Sequence, residues 1–135
     1  MGHQTTSAIA EKYLTKNTID NLNKIFKEYV GMDNRTFKSI VEMSTYPDEI
    51  RLMIPWSSAF HYVNMNDGVS KFDEIKHCNS PNYCIVKALR NYTSILSDRT
   101  ITSIVRLGEA LTFIVHFMGD EFQPLHCGNV EGELI

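Results

Sequence analysis

Eleven residues near the C-terminal end concentrate more chemistry than any other stretch: His116-Phe117-Met118-Gly119-Asp120-Glu121-Phe122-Gln123-Pro124-Leu125-His126. They close a long apolar run. Side chains four apart on a helix share a face, so His116 and Asp120 can grip one ion. Gly119 permits close approach of a backbone or an ion, and Pro124 stops the helix so that His126 can turn back. Imidazole nitrogen with carboxylate oxygen is a donor set that zinc accepts.

The elements that must position these groups read as helices nearly throughout. Ile9, Tyr13 and Leu14 make a first short stripe. Thr18 is expected to cap a second helix carrying Ile19, Leu22, Ile25, Phe26 and Tyr29, which ends at Gly31. Phe37, Ile40 and Val41 form a third stripe, broken at Tyr46-Pro47, with Asp48 where a helix would restart. Residues 54–76 lack helical period and read as a long irregular excursion, often functional in a compact domain. Ile85, Leu89, Tyr92 and Leu96 restart a helix. After a turn at Ser97-Asp98, Ile104, Leu107, Leu111, Ile114, Val115 and Met118 build the last and longest one. The expectation is one all-α domain over residues 1–135, with no repeat, glycine-rich phosphate loop or nucleophile elbow.

Length and composition agree. A chain of 135 residues, 43% hydrophobic and 21% charged, fits one domain with a sizeable core. The net charge of −3 lacks the basic footprint of a usual nucleic-acid binder. Bound metal would weaken that objection, because each divalent zinc adds local positive charge in the cleft. The longest apolar stretch, 111–118, is too short to span a membrane and contains Thr112 and His116. No signal-peptide pattern is visible, and the myristoylation-like opening with Thr6 is a pattern that arises readily by chance. The three cysteines are Cys78, Cys84 and Cys127. Cys78 and Cys84 flank a turn-rich loop that can close as a small disulfide; three reduced thiols are the alternative. Asn34 and Asn91 sit in N-x-Thr glycosylation triplets, which also arise by chance.

The five histidines are His3, His61, His77, His116 and His126. Any one alone reads more readily as an ordinary core or surface residue. Four of them fall at a terminus, a loop or a helix end, where ligands are easily presented. His77 has no such company and is left on the surface.

These residues carry a family resemblance. Gly2-His3 with Ala8-Ile9-Ala10, then Tyr46-Pro47-Asp48-Glu49-Ile50-Arg51, then Phe60-His61-Tyr62-Val63-Asn64, then the run from His116 to His126, resemble the zinc-dependent single-strand-specific nucleases. These class I nucleases, or 3′-nucleotidase/nucleases, share a helical fold with the bacterial zinc phospholipases C. The resemblance runs from residue 2 to about residue 128. The pattern at 116–126 is specific; the others are weak alone but fall in the correct order. Cys78, Cys84 and the helix around Asn91 resemble the family's middle portion.

The resemblance implies roles. Asp48, His61, His116 and Asp120 would hold one zinc. Asp120 would bridge to a second that also takes His3, and His126 would begin a third. Asp48 would also orient the attacking water, and Arg51 would meet the phosphate. Tyr62 would stack on a nucleobase, a contact tolerant of sequence. Asn64 stands where the family usually has a base-contacting aspartate. Substrates would be single-stranded DNA or RNA, or 3′-nucleotides, with 5′-phosphate products. A secreted or lumenal monomer is the family expectation.

The chain also departs from the pattern. The family's N-terminal tryptophan ligand is absent before Gly2, and the segment carrying the partners of His126 does not follow. The chain therefore reads as an incomplete copy, the N-terminal part of a longer fold. One zinc site keeps four side-chain ligands, the second keeps His3 and Asp120, and the third keeps His126, with Cys127 or Glu131 as local helpers. At most one tightly bound zinc and weak or absent activity of this chain alone are expected. The alternatives are an inactive helical metal-binding fragment and a phospholipase C-like hydrolase.

Overall fold

The computed structural model describes residues 1–65, 69, 71–78 and 84–127. Among these residues seven α-helices follow one another: α1 (Gly2–Glu11), α2 (Lys16–Glu28), α3 (Ile40–Met43), α4 (Tyr46–Glu49), α5 (Glu74–His77), α6 (Ile85–Ser97) and α7 (Ile104–Glu121). Two 3₁₀ segments, Pro55–His61 and Pro124–His126, complete the described elements. The all-α expectation holds, and among the described residues the only β-type pairing is an isolated bridge between Val30 and Thr36.

The α6–α7 hairpin is the frame. Tyr92 on α6 stacks on Phe113 of α7 with ring centroids 4.9 Å apart, and Phe113 stacks in turn on Phe117 at 5.3 Å. Both phenylalanines are buried, each removal from water contributing about 1.5–3 kcal/mol. The apolar stripe expected on α7 coincides with the buried surface only in part. Leu111 is buried, but Ile104, Leu107, Ile114 and Val115 are only partly buried and Met118 is 40% exposed, whereas Phe113, Phe117, Thr112 and His116 are buried. α7 packs against α1, α2, α3, α4 and α6, so its buried face is wider than a single stripe.

Helix boundaries shift where a side chain offers a better cap. Thr15, not Thr18, caps α2, its Oγ1 accepting from the Thr18 amide at 3.2 Å. The helix stops at Glu28 rather than Gly31, because the chain then turns into the bridge at Val30. Ser103 caps α7 by accepting from the Arg106 amide. Within the excursion expected at 54–76, the described residues include the 3₁₀ turn Pro55–His61 and the start of the single turn α5, capped by Asp73. Cys78 and Cys84 form a disulfide between the end of α5 and the start of α6. No helix among the described residues is long and apolar enough to cross a membrane.

Candidate metal centre

Four elements far apart in sequence bring their polar ends together. α1 delivers His3, α4 delivers Asp48, the 3₁₀ turn delivers His61, and α7 delivers His116 and Asp120. α7 holds its pair as the i, i+4 spacing predicts, His116 Nε2 lying 3.1 Å from Asp120 Oδ2. Gly119 does allow a close approach: the group that enters is the His3 ring, whose Nδ1 crowds the place a Cβ at 119 would take. The His3 ring also stacks on that of His116 at 4.0 Å.

The donor atoms lie at regular distances. His61 Nδ1 is 3.0 Å from Asp120 Oδ2 and 3.6 Å from Asp48 Oδ1. His116 Nε2 is 3.0 Å from His61 Nδ1 and 3.5 Å from Asp48 Oδ1. With the His116–Asp120 contact, these are five of the six edges of a tetrahedron. A zinc ion about 2.0–2.1 Å from each ligand requires edges of about 3.3–3.4 Å, close to the observed spacing.

The hydrogen bonds behind the donors favour this use. His116 Nδ1 lies 2.7 Å from the Ser44 carbonyl oxygen, which can only accept, so Nδ1 carries a proton and Nε2 faces the cluster. His61 turns Nδ1 to the cluster, and its Nε2 is buried without a hydrogen-bond partner. These four donors fit zinc in type and in the five spacings given, and His116 is oriented for it. His3 Nε2 stands 3.2 Å from Asp120 Oδ1, the opposite oxygen from the one facing His61 and His116. One carboxylate thus looks toward two donor groups, His3–His116–Asp120 and Asp48–His61–His116 sharing the same wall.

Charge is concentrated and buried. Asp120 is 2% exposed. Burial opposes its ionisation, but hydrogen bonds from His116, His3 and His61 outweigh that and hold the carboxyl well below the usual range. Burial likewise opposes the charged form of His116, yet Asp120 and Asp48 push its pKa up to about 9 in the metal-free chain. Asp48 is lowered, first by its hydrogen bond with His116, against a smaller burial penalty. Its side chain is 51% exposed, so the cluster opens to solvent on the Asp48 side.

The chain turns back after α7 as expected. The Val63 amide donates to the His126 carbonyl at 2.8 Å, which ties the end of the first 3₁₀ segment to the second. His126 Nδ1 donates to the His61 carbonyl at 2.7 Å and sits 3.6 Å from Asp120. Cys127 donates from Sγ to the Glu121 carbonyl; burial, then Glu121, raises its thiol pKa. Glu131 lies outside the described residues. Arg51 is exposed and enters no ion pair among the described residues. Tyr62 and Asn64 are exposed beside His61, as are Asn34 and Asn91 elsewhere on the surface. Sequence reasoning missed Ser44, whose role rests on a backbone carbonyl that any residue would carry. It also missed Phe117, whose ring packs edge-on against His61 at 5.0 Å and His116 at 5.8 Å.

The described residues thus place a histidine–carboxylate cluster that could hold a metal on a helical scaffold. Comparison with known sequences identifies the family: a model of the S1/P1 nuclease family matches residues 1–134, and the chain belongs to that family. It is 32% identical to Endonuclease 5 of Arabidopsis thaliana, over 94% of this chain and 45% of the plant protein. It is 30% identical to Nuclease P1 of Penicillium citrinum, over 93% and 46%, and 27% identical to Nuclease S1 of Aspergillus oryzae, over 97% and 44%. The chain thus spans less than half the length of the curated relatives it matches.

Proposed function

We propose that residues 1–135 act as one helical unit that holds a single zinc tightly and hydrolyses phosphodiester bonds of single-stranded DNA or RNA, with 3′-nucleotides as further substrates. The observation that carries this reading is the set Asp48, His61, His116 and Asp120, five of whose six donor–donor distances are 3.0–3.6 Å. The names of the relatives favour nucleic acid over phospholipid.

Bound zinc supplies a water acidified toward neutral pH and positive charge for the phosphoryl oxygens. The chain's own groups do the rest. Asp48, half exposed at the mouth, orients the attacking water and accepts its hydrogen bond. Asp120 has its second oxygen on the His3 side, and His3 and Asp120 would hold a second ion. Among the described residues, His126 is the side chain for a third. Arg51 stabilises charge building on the phosphate, and hydrolysis leaves a 5′-phosphate. Tyr62 stacks on a base and Asn64 contacts its edge. The Cys78–Cys84 disulfide supports an oxidising, secreted or lumenal setting, and Asn34 and Asn91 are exposed enough to be glycosylated there. The unit is proposed to be a monomer.

The uneven donor count favours a second reading, metal binding with little catalysis. Hydrolysis of a single-stranded oligonucleotide, followed with zinc, with chelator and after zinc is restored, separates the two. Chelator-sensitive cleavage leaving 5′-phosphate ends supports the enzyme. A zinc-loaded chain that leaves the oligonucleotide intact supports the binding module.

A further inference from the structure

α4 is four residues long, and Asp48 is the third of them. A helix this short has no stability of its own, because nucleation fixes several residues for almost no internal hydrogen bonds. Something outside must hold it at the angle that turns Asp48 to the cluster. Part of the answer is burial: Tyr46 and Pro47 are enclosed, as is Ile50 just beyond.

The rest is a polar network on the face away from the histidines. The Val30–Thr36 bridge closes a loop whose tip contains Asn34 at φ 64°, and this loop presents Asp33 and Arg35. Arg35 Nη1 donates to Glu49 Oε2, and its Nη2 lies 3.1 Å from Asp33 Oδ2. Asp33 Oδ1 accepts from the Tyr46 hydroxyl at 3.0 Å, and the guanidinium sits 5.1 Å from the Tyr46 ring centroid. Thr45 Oγ1 donates to Glu49 Oε1 at 2.7 Å. Both ends of α4, Tyr46 and Glu49, are thereby tied to one guanidinium and one loop. None of these groups touches the cluster.

We propose that Arg35, with Glu49 and Asp33, is a positioning latch: it fixes the short helix α4 and so aims Asp48 at the metal-binding cluster. The inference rests on the proposed metal site and adds to it a distant control of affinity. A single exposed ion pair contributes little, but a planar fork bridging two carboxylates to opposite ends of a one-turn helix restricts rotation of that helix.

The test is zinc affinity of the 135-residue chain, measured by competition with a chromophoric chelator. Arg35→Ala is expected to weaken zinc by about tenfold, the lower end for outer-sphere partners. Arg35→Lys, which keeps charge but loses the fork, is expected to fall between. Thr45→Val, a mild change on the same network, is expected to weaken zinc slightly and keeps the test open if Arg35→Ala folds poorly. The decisive arm is the Asp48→Ala background, where Arg35→Ala should change zinc affinity no further. A role in general stability alone would leave affinity at wild-type values well below the melting temperature. Unchanged affinity in both Arg35→Ala and Thr45→Val, or an equal loss with and without Asp48, overturns the latch while the zinc site stands. A wild-type chain that takes up no zinc overturns the site itself and the latch with it.

Discussion

α7 and α4 each supply a carboxylate to the same cluster, and they do so in opposite ways. α7 has eighteen residues, an aromatic spine against α6, and a buried Asp120 whose oxygens meet three imidazoles. α4 has four residues and a half-exposed Asp48, held by side chains from a neighbouring loop. One wall is part of the core; the other is a lip fastened from outside. A buried charge must be compensated wherever it sits, so α7's ligands are tied to folding. Asp48 keeps much of its hydration, so in the proposed reading it would serve metal and substrate more than folding.

That contrast can be broken most forcefully at Asp120. Asp120→Asn is expected to abolish zinc uptake and to lower the stability of the metal-free chain by about 3–5 kcal/mol, since three imidazoles lose one shared anion. Chemical denaturation with chelator present measures this. A metal-free stability equal to wild type would erase the difference between the walls. The counterpart, Asp48→Asn, should weaken zinc by orders of magnitude yet change metal-free stability by only about 0.5–1 kcal/mol, as solvent already screens that carboxylate. Equal destabilisation by the two substitutions would put both walls in the core.

Gly119→Ala probes the seam between α1 and α7. The added methyl collides with the His3 ring, so α1 must shift, at a cost of about 1–3 kcal/mol seen in the same denaturation experiment. The donors proposed for the first zinc do not include His3, although its ring stacks on His116, so the affinity for that zinc should fall less than in Asp48→Asn. A zinc affinity that collapses with Gly119→Ala would mean that α1 is part of the primary site.

The gentlest probe is pH. In the metal-free chain the His116 pKa is raised to about 9 from an ordinary value of 6.5. Its stabilising contribution is therefore complete below about 6.5 and is lost as pH rises through about 9. Zinc needs the same nitrogen unprotonated, so zinc binding at neutral pH should release about one proton from His116. Calorimetry in buffers of different ionisation enthalpy counts it. Zinc affinity should rise with pH up to about 9, and affinity independent of pH between 6.5 and that value would exclude His116 from the donors.

Much of this was legible in the sequence. The spacing of His116, Asp120 and His126 around Gly119 and Pro124 correctly implied a helix face followed by a return, because i, i+4 geometry and proline's missing amide are local rules. Helix α6 was legible for the same reason, whereas the break expected at Tyr46-Pro47 falls at Ser44-Thr45, and Tyr46-Pro47 open α4, as proline suits a first helical turn. The buried aromatic face of α7 was not, since Phe113 and Phe117 are selected by α6 across the hairpin and not by period. Thr15's cap was missed because Thr18, three residues on, carries the same kind of hydroxyl. The supports behind the cluster were hidden further: Ser44 acts through its carbonyl, and Arg35 and Glu49 are fourteen residues apart on a loop and a one-turn helix.

The most direct test of the central claim is the zinc content of the purified wild-type chain beside His116→Ala after dialysis against trace metal. His116 touches His61, Asp48 and Asp120 at once, so its removal opens the tetrahedron along three edges. One zinc per wild-type chain, lost in His116→Ala while the helical signal persists, is the predicted result. A wild-type chain without zinc, or a His116→Ala chain that retains it in full, would contradict the account.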